Sequence, residues 1–346
     1  MAFEPVKFGL VGCGGIGNHH AKTMDQLDGV RLVAAADIVP ERAREIAAKY
    51  DCKAYDSTEA LLQGSPEVEA VSVCTPSGLH AELGIVAAQA GKHVLSEKPI
   101  DIVLDKIDRL IATCERKGVK LGCIFQHRWD EPIRKIKEAL DAGKFGDLLF
   151  GNADVKWYRA QSYYDSGEWR GTWALDGGCF ANQAIHYLDQ LVSLMGDVAE
   201  VEHARVATRD REIEAETIGL ASLRFANGAW GTIQASTVTW PGLPTRIEIC
   251  GTKGAAVLSG DALVLFKVEG EEEAELEQAP AASVASADPA IGGLTGHDAQ
   301  IADFAAAVRE DREPLVTGRE ARRSVALLTE IYRKALGRVP LGGAAK

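Results

Sequence analysis

The stretch that decides the fold reads Val6-Lys7-Phe8-Gly9-Leu10-Val11-Gly12-Cys13-Gly14-Gly15-Ile16-Gly17. Its first half is a short, mostly apolar run, as a buried parallel strand requires. Its second half is Gly-x-Gly-x-x-Gly, and a helical pattern continues from it through Leu27. In that strand–turn–helix setting each glycine has its own job. Gly12 permits a tight turn, Gly14 lets backbone approach a pyrophosphate, and Gly17 lets helix and strand pack closely. The helix start, around Gly15 and Ile16, turns free N–H groups towards the phosphates. Asp37 follows 20 residues after Gly17, at the end of the next apolar run, with Ile38 behind it. A carboxylate there accepts from a ribose 2′-hydroxyl and repels a 2′-phosphate. The pattern therefore predicts NAD in preference to NADP, although Arg42 lies within reach of such a phosphate.

Outward from this stretch, apolar runs at Arg31–Ala36, Ala70–Cys74, His93–Ser96 and Lys120–Phe125 alternate with helical patterns at Pro40–Tyr50, His80–Ala90 and Leu104–Lys117. Such alternation builds a parallel sheet covered by helices, so residues 1–125 read as a Rossmann-type α/β domain. Beyond Phe125 a helix over Pro132–Asp141 and a long strand over Leu148–Tyr158 precede one helical segment at Cys179–Met195. Strand patterns then dominate, at 201–208, 217–225, 229–236, 246–250, 255–258 and 263–268. Asn227-Gly228 reads as a hairpin turn with positive φ at both residues. Residues 126–310 thus read as an α+β domain with a large, mostly antiparallel open sheet. Residues 311–346 supply a C-terminal helix that packs back on the first domain. The acidic, then Ala/Ser/Pro-rich segment 269–290 reads as a solvated loop.

Composition narrows the function. The chain has 346 residues, 46% hydrophobic and 25% charged, with a formal net charge of −12. A surface of that sign is repelled by nucleic acid and by anionic membranes, so neither is expected as a partner. No signal-peptide pattern or run of apolar residues long enough for a membrane span is found. The seven cysteines include no CxxC pair and read as buried free thiols of a cytoplasmic protein. His19-His20, and Cys179 with His186, offer no three-ligand spacing, so no metal site is expected.

Further motifs add a resemblance. Thr75-Pro76-Ser77 with His80, Glu97-Lys98-Pro99, Gln126 with Arg128, Trp169-Arg170, Gly177-Gly178 ahead of Asn182 and His186, and Asp303-Phe304 occur in that order. Together with the glycine loop they resemble the Gfo/Idh/MocA family of NAD(P)-dependent sugar and cyclitol oxidoreductases over nearly the whole chain. Many members carry Asp where this chain has Asn182. The Asn-Gln-x-x-His order is similar to the branch with UDP-N-acetylglucosaminuronate 3-dehydrogenase and other sugar 3-dehydrogenases. The resemblance implies a dehydrogenase acting on a secondary ring hydroxyl of a sugar, sugar acid, nucleotide sugar or cyclitol. It also implies assembly into a homodimer or homotetramer through the open sheet. It places Thr75, Pro76, His80, Glu97, Lys98, Arg128, Trp169 and Arg170 beside the cofactor.

Oxidising a carbinol needs a group to take the hydroxyl proton. Lys98 follows a strand, at the edge where open α/β sheets bind ligands, and its ammonium suits a developing alkoxide. Without the resemblance the solvated surface lysine is the favoured reading. An unperturbed imidazole suits proton transfer near neutral pH, so His186 is the expected general base. Asn182, four residues earlier, shares its helix face and orients the substrate or the imidazole. Substrate recognition is expected from Lys98, Arg128, Tyr158, Trp169, Asn182, His186 and His297, with Arg159 and Arg170 nearby. The arginines point to an acidic substrate or, equally, to pairing with the cofactor or local carboxylates. A reductase running the opposite way, and a non-catalytic dinucleotide sensor, remain as alternatives.

Overall fold

The structure, a computed structural model, describes residues 4–272 and 296–343. It divides into two compact units, Met1–Gln126 with Thr295–Arg322, and His127–Leu294 with Arg323–Lys346. The expected loop at 269–290 falls largely outside the described residues.

The first unit is a Rossmann domain. Its strands are β1 (Val6–Val11), β2 (Val30–Ala36), β3 (Lys53–Tyr55), β4 (Ala70–Val73), β5 (His93–Ser96) and β6 (Leu121–Cys123). Its helices are α1 (Gly15–Gln26), α2 (Pro40–Tyr50), α3 (Thr58–Gly64), α4 (His80–Gln89) and α5 (Leu104–Lys117). All strand pairs are parallel, in the order β3-β2-β1-β4-β5-β6. The order reverses beside β1, where open sheets of this kind bind ligands at the strands' C-terminal ends. Phe8, Leu10, Val71 and Leu95 are almost fully buried, which explains why these strands read as continuous apolar runs. Cys13, Cys74 and Cys123 lie in the same interior, and all seven cysteines are free thiols.

The second unit contains α6 (Glu131–Asp141), β7 (Leu148–Lys156), α7 (Gln161–Asp165), a π-helical turn at Cys179–Gln183 and α8 (Ile185–Met195). Strands β8 (Val198–Ala207), β9 (Ile218–Phe225), β10 (Trp230–Ser236), β11 (Arg246–Gly251), β12 (Gly254–Ser259) and β13 (Ala262–Val268) follow. The sheet order is β13-β12-β11-β7-β10-β9-β8. Every pairing is antiparallel except β7 with β10. Ala153, Leu223 and Ile233 face the core, which α8 closes. The hairpin between β9 and β10 forms, but with positive φ at Gly228 and not at Asn227.

Two late helices complete the chain, α9 (His297–Glu310) and α10 (Gly318–Leu336). The sequence reading left α9 with the second domain. Phe304 of α9 instead packs on Phe8 at 6.2 Å, and Gln300 reads the edge of β6 by accepting from Phe125 N–H and donating to the Cys123 carbonyl. Among the described residues no helix is long and apolar enough to cross a membrane.

Candidate active site

The glycine loop of the first unit is built as its sequence demands. Gly12 has φ +92°, and a Cβ there would stand 2.6 Å from the Cys74 carbonyl oxygen. A Cβ on Gly17 would strike the Gly12 carbonyl at 2.0 Å, so helix and strand touch through backbone. Gly14 and Gly15, in contrast, border open space. No side chain caps α1 and its first turn holds no acid, which leaves a helix N-terminus fit for a pyrophosphate. Asp37 sits beside it, its Oδ2 accepting from Cys13 N–H at 2.7 Å and its Oδ1 from Val39 N–H at 2.8 Å. That geometry fixes the carboxylate at the end of β2, while Ile38 projects into solvent at 91% exposure. Burial, and then the charge of Asp37, push the Cys13 thiol up to about 12, so it is no nucleophile. After β4, the Thr75 hydroxyl oxygen is buried with no hydrogen-bond partner, an orphan that a bound dinucleotide would satisfy. Loop, carboxylate and orphan hydroxyl together fit the NAD that the sequence implies.

Lys98 follows β5 and is joined to Pro99 by a cis peptide. Its backbone N–H donates to Glu97 Oε2 at 3.0 Å. Glu97 itself is buried, and His20 Nε2 meets its Oε1 at 2.8 Å while His297 Nε2 stands 3.6 Å away. Burial would raise this carboxyl, but contact with the two imidazoles holds it well below the usual range. His80 places Nδ1 on the Pro99 carbonyl and Nε2 on the Thr75 carbonyl, both at 2.7 Å. These contacts show where three of the expected site residues sit. With both ring nitrogens engaged, His80 is a strut between two loops. Glu97 turns its carboxylate inward onto histidines, and His297, 2% exposed, joins it in the interior.

The spacing rules found no metal ligands, yet His20, Glu97 and His297 bring ligand atoms within 4.8 Å of one another. Donors on a tetrahedral ion with bonds of about 2.1 Å lie roughly 3.4 Å apart. The 2.8 Å between His20 and Glu97 is hydrogen-bond contact.

In the second unit the Asn182–His186 segment is not one α-helix. The π-helical turn ends at Gln183 and α8 starts at Ile185, so four-residue spacing does not put both side chains on one face. Asn182 instead donates to Asp176 and accepts from Gln183 Nε2 at 2.6 Å. Gln183 also donates to the Tyr163 hydroxyl at 3.0 Å, and its own oxygen accepts from Arg159 at 3.1 Å. Arg170 donates to the same Tyr163 hydroxyl at 2.7 Å and lies over the Trp169 ring, 4.5 Å from its centre. Tyr158 packs against Trp240 and under Arg211. His186 is 8% exposed, edge-on to His127 at 5.1 Å, and His127 holds Asp130 at 2.7 Å. Arg128, expected to reach cofactor and substrate, places its fork on Asp189, a local carboxylate pairing.

Sequence reasoning gave no site role to His20, His127, Tyr163, Gln183 or Glu216. For His20 a signal existed: it falls on the buried side of α1, where a histidine needs a buried partner.

These features define a dinucleotide-binding oxidoreductase. Residues 6–125 match the model of an oxidoreductase family with an NAD-binding Rossmann fold, and residues 133–257 match the GFO/IDH/MocA C-terminal domain. A myo-inositol 2-dehydrogenase of Thermotoga maritima is 33% identical over 72% of this chain and 74% of its own. The WlbA dehydrogenase of Bordetella pertussis, solved with NADH and UDP-GlcNAcA, is 35% identical and superposes with TM-score 0.85 over 96% of this chain and 97% of its own. Its counterpart from Chromobacterium violaceum, also with NADH and UDP-GlcNAcA, is 30% identical with TM-score 0.87 over 98% and 96%. The chain belongs to the Gfo/Idh/MocA family of NAD(P)-dependent oxidoreductases.

Proposed function

We propose that this protein is an NAD-dependent dehydrogenase that oxidises a secondary ring hydroxyl of an acidic nucleotide sugar. The observation that carries this reading is the likeness, over almost all of both chains, to two dehydrogenases solved with NADH and UDP-GlcNAcA. The presence of Lys98, Asn182, Gln183 and His186 supports it. Bound nicotinamide supplies the hydride acceptor. Lys98 donates to the substrate oxygen and stabilises its developing charge. His186 takes the hydroxyl proton as general base. Asn182 cannot exchange protons; it orients the substrate, held in place by Asp176 and Gln183. Trp169, Arg170 and Tyr158 offer aromatic and cationic surface for the sugar and its acid group. Asp37 sets the preference for NAD.

The enzyme works as a homodimer or homotetramer through its open sheet. Phe150 and Trp230 are register partners on β7 and β10, and with Ile218 and Leu220 on β9 they are exposed by 41–57%. Exposed apolar side chains gathered in one sheet are suited to a second copy of the chain. Seven free thiols suit a reducing, cytoplasmic setting. The experiment is a screen of NAD reduction against UDP-sugars, their uronates, free uronates, sugars and cyclitols. Reduction with a UDP-sugar uronate supports the reading, and turnover confined to neutral cyclitols overturns it.

A further inference from the structure

Glu216, just ahead of β9, is 1% exposed. A buried carboxylate needs donors, and here they come from two other parts of the unit. Oε1 accepts from Phe180 N–H at 3.0 Å and from the Tyr332 hydroxyl of α10 at 2.7 Å. The Glu216 backbone carbonyl accepts from Cys179 N–H at 2.9 Å. Two consecutive amides at the start of the π-helical turn therefore end on one residue. The first amides of any helix lack partners within it, and Gly178, at the cap position, has no side chain to offer. Gly178 is also fitted to its neighbour, since a Cβ there would lie 1.9 Å from Glu216 Oε2. The turn so anchored carries Asn182 and Gln183 and hands the chain to α8, whose second residue is His186.

We infer that Glu216 is a positioning residue: its carboxylate fixes the start of the π-helical turn and thereby the directions in which Asn182, Gln183 and His186 leave the backbone. The inference rests on the proposed role of that segment. The titratable groups facing the carboxylate are Tyr332 from α10 and Cys179 from the turn. Burial pushes the Glu216 carboxyl up to about 7, against the pull of the Phe180 amide and the Tyr332 hydroxyl. Hydrogen bonds to a charged acceptor are about twice as strong as those to a neutral one. Protonation near neutrality thus loosens the anchor, and turnover falls while binding of NAD by the other unit does not change.

The test compares the pH profile of kcat in wild type, Glu216→Gln and Tyr332→Phe. Glu216→Gln keeps the shape and removes the charge; kcat should fall about tenfold to a hundredfold, as small misplacements near chemistry do. KM for NAD should not move, and the profile should lose the Glu216 contribution to its limb near pH 7, leaving that of the general base. Tyr332→Phe removes a donor to the charged form, so the carboxyl rises and the limb shifts to higher pH. A limb belonging to His186 alone stays where it was. If Glu216→Gln does not fold, Tyr332→Phe decides by itself. A merely structural role lowers thermal stability and leaves the limb in place, and that result overturns the inference. His186→Ala tests the underlying reading separately: full turnover in that variant removes the site, whatever Tyr332→Phe does.

Discussion

Arg128 grips Asp189 with two parallel hydrogen bonds, Nε to Oδ2 at 2.8 Å and Nη2 to Oδ1 at 2.7 Å. Ser324 adds a third, donating to Oδ1 at 3.0 Å. The two side chains are only 10% and 1% exposed. Breaking such a pair leaves a buried charge without its partner, which destabilises by about 3–5 kcal/mol. Arg128→Ala should therefore lower the free energy of unfolding in urea by that amount. A change below about 1 kcal/mol would show that the pair is solvated and that Arg128 is free for another task.

Glu216 also links stability to pH. Its folded value of about 7 lies above the ordinary 4.5, so the folded protein holds a proton that the unfolded chain has lost across that window. The contribution is fully present below about pH 4.5 and disappears as pH rises through 7, a swing of about 3 kcal/mol. Glu216→Gln removes it. The variant should gain on wild type by that margin between pH 5 and pH 8 in parallel denaturation curves. Parallel behaviour of the two proteins would mean that the carboxyl titrates as an exposed one.

The proposed reading gives the cofactor preference to Asp37, whose carboxylate is locked on the Cys13 and Val39 amides. Replacing it with Asn removes the repulsion of a 2′-phosphate without emptying the position. The ratio of kcat/KM with NADP to that with NAD should rise at least about tenfold, a difference of 1.4 kcal/mol. An unchanged ratio would place the discrimination elsewhere, with Arg42 the first alternative.

Trp230 is 57% exposed in the outer row of the open sheet. Trp230→Glu places a charge on that face without touching the core, so the fold should persist while the proposed oligomer dissociates. Light scattering coupled to size exclusion checks this. Wild-type mass in the variant would exclude this face as the interface.

The sequence announced most of the fold because its signals are local. α2 and α5 end where the periodicity ends, and β1 is the apolar run ahead of the glycines. β3 escaped because three residues, two of them exposed, carry no pattern. The π-helical turn escaped because helix periodicity assumes 3.6 residues per turn, and one π turn shifts everything after it. At the site, the glycine loop and Asp37 were legible because their chemistry is set by contiguous backbone. The His20–Glu97–His297 contacts join residues 77 and 200 positions apart, which no spacing rule reaches. Glu216 closes the stretch Glu212-Ile213-Glu214-Ala215-Glu216, to which the sequence assigns no partner; only the folded chain turns its last carboxylate onto Phe180 and Tyr332.

The central claim is that Lys98 and His186 carry the proton chemistry of an NAD-linked oxidation. The most direct measurement is the rate of NADH formation from a UDP-sugar uronate by wild type, Lys98→Ala, His186→Ala and the double variant, with NAD affinity measured alongside. Each single variant should lose about 10²–10⁴-fold in kcat, the usual worth of a positioned acid or base, and still bind NAD as wild type does. A double variant that retains full turnover would contradict the account.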